Sequence, residues 1–201
     1  MRDGAAVSDA DLMRRAADGE RDAFAALYQR HHPAVYRFAR LMTGSDTVAE
    51  DVVQDVFLGL MRDPARYDAA RAALTTYLFG AARHHTRRRL VRDQRFVAFD
   101  VTLAAVDVTP ASDDVARVLV RRSELRQLRL AILSLPSRYR EVIVLCDLED
   151  VSYADTAATV GCAVGTVRSR LHRARHLLAE RMRRSTGSAT RSSGSMERCA
   201  V

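Results

Sequence analysis

The stretch VSYADTAATVGCAVGTVRSRLHRARHLLAERM, residues 151–182, decides the fold class. Ser152 is suited to cap a helix, with Asp155 three residues on in the position of a capping-box acid. Ala154, Ala157 and Ala158 are small enough to let a second helix approach closely, and Val160 adds core. Gly161 is placed to end that helix in a left-handed conformation, and Cys162-Ala163 completes a short turn. The next helix spaces its apolar residues by threes and fours: Val164, Val167, Leu171, Ala174, Leu178 and Met182. Its outer face is left with Thr166, Arg168, Ser169, His172, Arg173 and His176. A small-residue helix, a glycine turn and an Arg-studded amphipathic helix make the helix-turn-helix pattern, whose second helix is sized for the DNA major groove. An ordinary αα-hairpin shares this outline; the charge and the hydrogen-bonding types on the outer face favour DNA. Arg168 and Arg173 are able to pair with guanine edges or with phosphates.

Upstream of this unit the chain stays helical. Pro136 suits the first turn of a helix carrying Val142, Ile143, Leu145 and Cys146. Near the N-terminus, Phe24, Leu27 and Tyr28 fall on one face, continued by Val35, Phe38, Ala39, Leu41 and Met42. Gly44 then suits a helix stop, and Ser45 or Asp46 a new N-cap. Val52, Val53, Val56, Phe57 and Leu60 form the buried stripe of the next helix, opposite Glu50, Asp51, Gln54 and Asp55. Asp63-Pro64 breaks it, because the residue before proline is pushed out of the helical region. A last helix of this lobe, from about Ala72 to Arg92, packs Leu74, Leu78, Ala81 and Ala82 and exposes His84, His85 and Arg87 to Arg89.

The sequence therefore predicts an all-α protein of two small helical domains, residues 1–95 and 117–184, joined by a flexible linker over 96–116. That linker, FVAFDVTLAAVDVTPASDDVA, has no sustained helical period. Residues 185–201, rich in Ser, Thr and Gly, read as a disordered tail. With 9 Gly, 4 Pro and 6% aromatics in 201 residues, sandwiches, propellers and glycine-rich nucleotide folds are disfavoured. Three scattered cysteines (Cys146, Cys162, Cys199) make no disulfide framework. No apolar run reaches the ~18 residues of a membrane span, and the N-terminus lacks a signal-peptide core, so a soluble cytoplasmic protein without membrane insertion is expected.

The net charge is +7, and every one of the 32 basic residues is Arg. Two short blocks hold the excess: residues 65–95 carry 8 Arg against 2 Asp, and residues 165–184 carry 7 Arg against 1 Glu. Two such blocks separated by a mildly acidic stretch look like two footprints for a polyanion.

These residues resemble a known family. LPSRYREVIVL (135–145), LEDVSYADTA (148–157) and GTVRSRLHRAR (165–175) are similar to region 4 of bacterial extracytoplasmic function (ECF) sigma factors. AFAALY (23–28), VYRFA (35–39), AEDVVQDVF (49–57) and the segments around Tyr67-Asp68 and LFGAAR (78–83) resemble region 2, in the right order. The resemblance implies a protein that binds core RNA polymerase and directs it to promoter DNA, with no cofactor and no metal. It implies −35 contacts by Thr166, Arg168, Ser169, His172 and Arg173. It carries −10 contacts over to Tyr67, Asp68 and Arg71 in a loop, then Thr75, Tyr77, Arg83, His84, Arg87 and Arg88. Melted DNA needs planar groups for unstacked bases and cations along the backbone. Glu50, Asp51, Gln54 and Asp55 match the family surface that docks on the polymerase clamp helices, and an anti-sigma factor is an implied partner. This chain departs from the family at Ala72 (usually Gly), Tyr77 (commonly Trp), His84 (commonly Asn) and Met61 (a Trp near the end of the clamp-binding helix), changes that bear on −10 preference rather than on the fold.

Two rival readings compete with this one. His172 and His176 lie four apart on one helix face, a metal-capable spacing, but neither a catalytic acid between them nor a third ligand accompanies it, so an enzyme is not expected. A helix-turn-helix regulator acting without core polymerase would leave the whole first lobe unexplained.

Overall fold

The computed structural model describes residues 7–94 and 113–193, and among these every regular element is helical. The first lobe contains α1 (Asp9–Ala17), α2 (Arg21–Thr43), α3 (Asp46–Arg62), a 3₁₀ turn (Pro64–Arg66) and α4 (Leu74–Gln94). The second contains α5 (Asp113–Leu133), α6 (Ser137–Ile143) running into a π-helical turn (Val144–Leu148), α7 (Tyr153–Val160) and α8 (Val164–Ser193).

The helix ends lie where local chemistry puts them. Gly44 closes α2 at φ +79°, a conformation costly for any residue with a Cβ. Ser45 then caps α3 by accepting the Val48 N–H. Leu27, Val35, Phe38, Val52, Val56, Phe57, Leu74, Leu78 and Phe79 interlock as the first core. His31 is buried beside them and is tied at 2.8 Å to Asp9 of α1. Tyr28, expected on the buried stripe, is instead exposed at the edge of α2, where its ring meets Phe57.

The linker expectation is corrected at its C-terminal end: α5 begins at Asp113, inside the stretch assigned to the linker. Residues 113–116, part of the expected linker, are thus helical backbone. Residues 96–112 lie outside the described residues. The tail expectation is corrected as well, because α8 continues to Ser193. Beyond Arg184 one glycine costs a helix only about 1 kcal/mol, and no proline stops it. Residues 194–201, with Cys199, lie outside the described residues.

The lobes are not merely tethered; they pack. Arg140 in α6 donates to the Met42 carbonyl at the C-terminus of α2 (2.7 Å), to Leu135 O (3.0 Å) and to Leu133 O. Arg129 reaches the Gly44 carbonyl at 3.3 Å. Cations suit these positions, since the last carbonyls of a helix carry partial negative charge and lack intrahelical partners. Burial holds the Arg140 guanidinium below its ordinary pKa. Leu133 lies against Gly44, where a Cβ would sit 3.5 Å from its side chain.

Candidate nucleic-acid interface

The helix-turn-helix forms as the spacing predicts. Ser152 caps α7 by accepting the Asp155 N–H, and its hydroxyl donates back to the Asp155 carboxylate at 2.5 Å. Gly161 ends α7 at φ +70°, with open space where a Cβ would point, so its requirement is backbone conformation alone. Val167, Leu171 and Ala174 are buried, while Val164 and Leu178 are half-buried against the core. One detail of α7 differs. Ala154 and Ala158 are exposed, and Thr156 and Thr159 are buried with Ala157 and Val160. The helix turns its threonine side inward because it packs on α4 as well as α8, a contact sealed by the Thr76 hydroxyl donating to Asp155 at 3.1 Å.

On the outer face of α8, Arg168, Ser169, His172 and Arg173 are exposed, and Thr166 is half-buried with its carbonyl accepting from the Ser169 hydroxyl at 3.0 Å. Arg168 stands 6.0 Å from the exposed ring of Tyr153. Not every arginine of this helix faces out to a ligand. Arg175 is held by both oxygens of Asp147 at 2.9 and 2.6 Å, a pairing that raises its pKa further. The π-helical turn supplies that aspartate, and it also projects Glu149 toward α2.

In the first lobe, Tyr67 and Tyr77 meet edge to face at 5.7 Å, and both are half-buried. Burial raises the Tyr67 phenol above its ordinary value. Asp68 organises the loop by accepting the Ala70 N–H at 2.9 Å and lies 3.5 Å from Arg71. Thr75 is half-buried at the start of α4, while His84, Arg87 and Arg88 are exposed further along it. Arg83 points away from these, into the lobe junction, where it lies 3.2 Å from the buried carboxylate of Glu141. The structure thus separates one −10 candidate from the rest.

Of the four candidate polymerase-docking residues, Glu50 and Gln54 are open to solvent. Asp51 and Asp55 are each bound by Arg89 of α4 at 2.7 Å. His85 lies 3.5 Å from Asp55, but burial keeps its pKa below the ordinary value. Sequence reading missed this tie, having placed Arg89 on an exposed stripe. It also missed an apolar hollow of about 370 Å³ beside Glu50 and Gln54, walled by Phe24, Tyr28, Phe57 and Met61. The signal available was Tyr28 itself, an aromatic on a helix edge next to an acidic face.

Among the described residues no cluster of three His, Cys, Asp or Glu side chains is placed to hold a metal ion. His176 is 3.6 Å from Glu180. Cys146 is packed against the core and shares a 3.3 Å contact with Thr156, and burial raises its thiol pKa. No described helix is long and apolar enough to cross a membrane.

Comparison with known proteins agrees with this layout. Residues 27–96 match Sigma-70 region 2 and residues 125–178 match Sigma-70, region 4. The chain is 35% identical over 175 residues to the ECF RNA polymerase sigma factor SigM of Mycobacterium tuberculosis, covering 86% of this chain and 83% of that protein. Its fold is similar to CnrH, solved in complex with the cytosolic domain of CnrY (TM-score 0.62, 28% identity, 86% of this chain and 95% of that one). It is also similar to the sigma factor RpoE solved with the anti-sigma factor NepR from Bartonella quintana (TM-score 0.61, 27% identity, 80% and 96%). A regulator built on region 4 alone would not carry region 2 ahead of it. With both regions in order around the two basic blocks, the chain belongs to the ECF RNA polymerase sigma factors, which direct core RNA polymerase to initiate transcription at specific promoters.

Proposed function

We propose that α8 reads the −35 element through Thr166, Arg168, Ser169, His172 and Arg173. The Tyr67–Arg71 loop and α4 take the −10 element through Tyr67, Asp68, Arg71, Thr75, Tyr77, His84, Arg87 and Arg88. Glu50, Asp51, Gln54 and Asp55 dock on the polymerase clamp helices. The observation that carries this reading is the division of labour on α8. Arg175 is neutralised by Asp147, whereas Arg168 and Arg173 are exposed beside hydrogen-bonding side chains, the arrangement suited to a groove.

The packed lobes add a requirement. Elements centred near −35 and −10 are about 25 base pairs apart, or roughly 85 Å at 3.4 Å per pair. A compact body of this chain's size is roughly 45 Å across. Both elements are reached only when the lobes part, so joining the polymerase opens the molecule. An anti-sigma factor, of the kind that NepR is to RpoE, would act before that step. The protein works in the cytoplasm as a binding factor and not as an enzyme.

The test is reconstitution. Core polymerase supplemented with the purified chain should initiate at its cognate promoter and lose that ability when the −35 element is scrambled. Initiation that ignores the −35 sequence would refute the α8 assignment.

A further inference from the structure

Where the lobes meet, α4, α6, the α7–α8 turn and α8 line a half-open cavity of about 380 Å³. Four arginines line it: Arg83 and Arg87 from the first lobe, Arg138 and Arg170 from the second. Glu141 is the single carboxylate in the lining, and it is already engaged by Arg83 at 3.2 Å. Among the described residues, no carboxylate lies within ion-pairing distance of Arg87, Arg138 or Arg170. Arg138 stacks on Tyr139 at 4.8 Å, and Arg170 approaches only the Cys162 sulfur at 3.9 Å. The cavity lining therefore carries a net charge of +3.

That excess is drawn from three helices, α4, α6 and α8, and not from one helix face, with Arg83 and Arg170 half-buried and Arg87 and Arg138 exposed. Packing of the lobes brings guanidinium groups from both sides to one half-open space, an arrangement that an anion would favour. Arginine's planar fork suits phosphate oxygens, two at a time. A volume in the range of small-ligand sites fits a compact molecule better than a duplex. We infer that this cavity binds a small polyphosphate, a pyrophosphate or the phosphate chain of a nucleotide, and that the bound anion holds the two lobes together. The inference rests on the lobe junction and not on the promoter assignments, so either can fail alone.

The experiment is calorimetric titration of the full chain with sodium pyrophosphate at constant ionic strength, with sodium sulfate as the comparator. Saturable one-to-one binding, tighter than sulfate, is expected. The double variant R138A/R170Q should weaken it about tenfold or more, the consequence of losing charge-assisted contacts. Arg168→Ala, on the outer face of the same helix, should leave it unchanged. R138K/R170K, which keeps charge without the fork, should fall between, and this variant guards against a fold defect in the first. Pyrophosphate that fails to saturate, or binds the double variant as it does the native chain, overturns the proposal. A double variant that loses affinity for a duplex oligonucleotide, while pyrophosphate never saturates, makes the junction a nucleic-acid groove and overturns it equally.

Discussion

Arg37 of α2 donates through Nε and Nη2 to the two oxygens of Glu149, at 2.9 and 2.6 Å, across 112 positions of sequence. The two partners are not equally placed, since the Glu149 side chain is 2% exposed and that of Arg37 is 55% exposed. Burial raises the Glu149 pKa above its ordinary 4.5, outweighing the pull of Arg37 in the other direction. The folded protein thus holds this proton more tightly than the unfolded chain does. Glu149's contribution to stability is fullest below pH 4.5 and declines as pH rises through the higher folded value. Glu149→Gln should accordingly leave the melting temperature at pH 7 unchanged or slightly higher. Arg37→Ala, which strands a buried carboxylate, should cost about 1–2 kcal/mol at pH 7 and less near pH 5. Thermal unfolding at the two pH values checks both. Equal losses for the two variants at pH 7 would mean that the ion pair, not the burial of Glu149, dominates.

Arg140 is a harder case to replace. Its guanidinium serves carbonyls on both sides of the lobe boundary, at Met42, Leu133 and Leu135. Arg140→Ala leaves several enclosed acceptors without a donor, a loss of about 2–4 kcal/mol. Arg140→Lys restores charge but only part of the geometry and should recover less than half. Denaturant unfolding of the two variants measures this, and a cost below 1 kcal/mol for alanine would indicate that water replaces the guanidinium.

What the sequence disclosed and what it hid follow a physical division. Ser45, Gly44, Ser152 and Gly161 act on their own neighbours within a few residues, so their roles are readable from local pattern. The outer face of α8 was readable for the same reason, being set by helical period. The lobe contact was not, because its bonds join residues roughly 80 to 110 apart and use arginines that look like surface charge. That hidden contact also explains the errors nearby. Alanine is too small to select a face of α7, so packing on α4 did, and Arg83 read as a DNA contact although it turns toward Glu141. Arg89 looks like exposed charge for the same reason, since its partners Asp51 and Asp55 lie on another helix.

On the DNA side, Arg168→Ala should weaken binding to a −35 duplex by about 1–3 kcal/mol, the usual worth of one specific arginine contact. Arg175→Ala serves as the contrast. Its guanidinium is committed to Asp147, so it should alter stability more than affinity. Fluorescence anisotropy with cognate and scrambled duplexes separates the cases. Equal affinity losses from the two substitutions would show that α8 binds through overall charge and not through its outer face.

Arg89 sets a different kind of test, because it holds Asp51 and Asp55 in the very surface proposed to meet the polymerase. If docking uses those carboxylates, the intramolecular tie competes with the partner's cations. Arg89→Ala should then tighten association with core polymerase about two- to fivefold, as expected from freeing partly exposed pairs worth under 1 kcal/mol. Charge reversal at Asp51 and Asp55 should abolish association at moderate salt, beyond any effect on folding, since it also turns Arg89 into a like-charge neighbour. Glu50→Gln and Gln54→Ala, on exposed positions free of this tie, should weaken docking without changing the melting temperature. Co-elution of each variant with core polymerase, alongside its unfolding curve, provides the comparison. Should Arg89→Ala weaken docking instead, the arginine would be ordering the acidic face rather than occupying it.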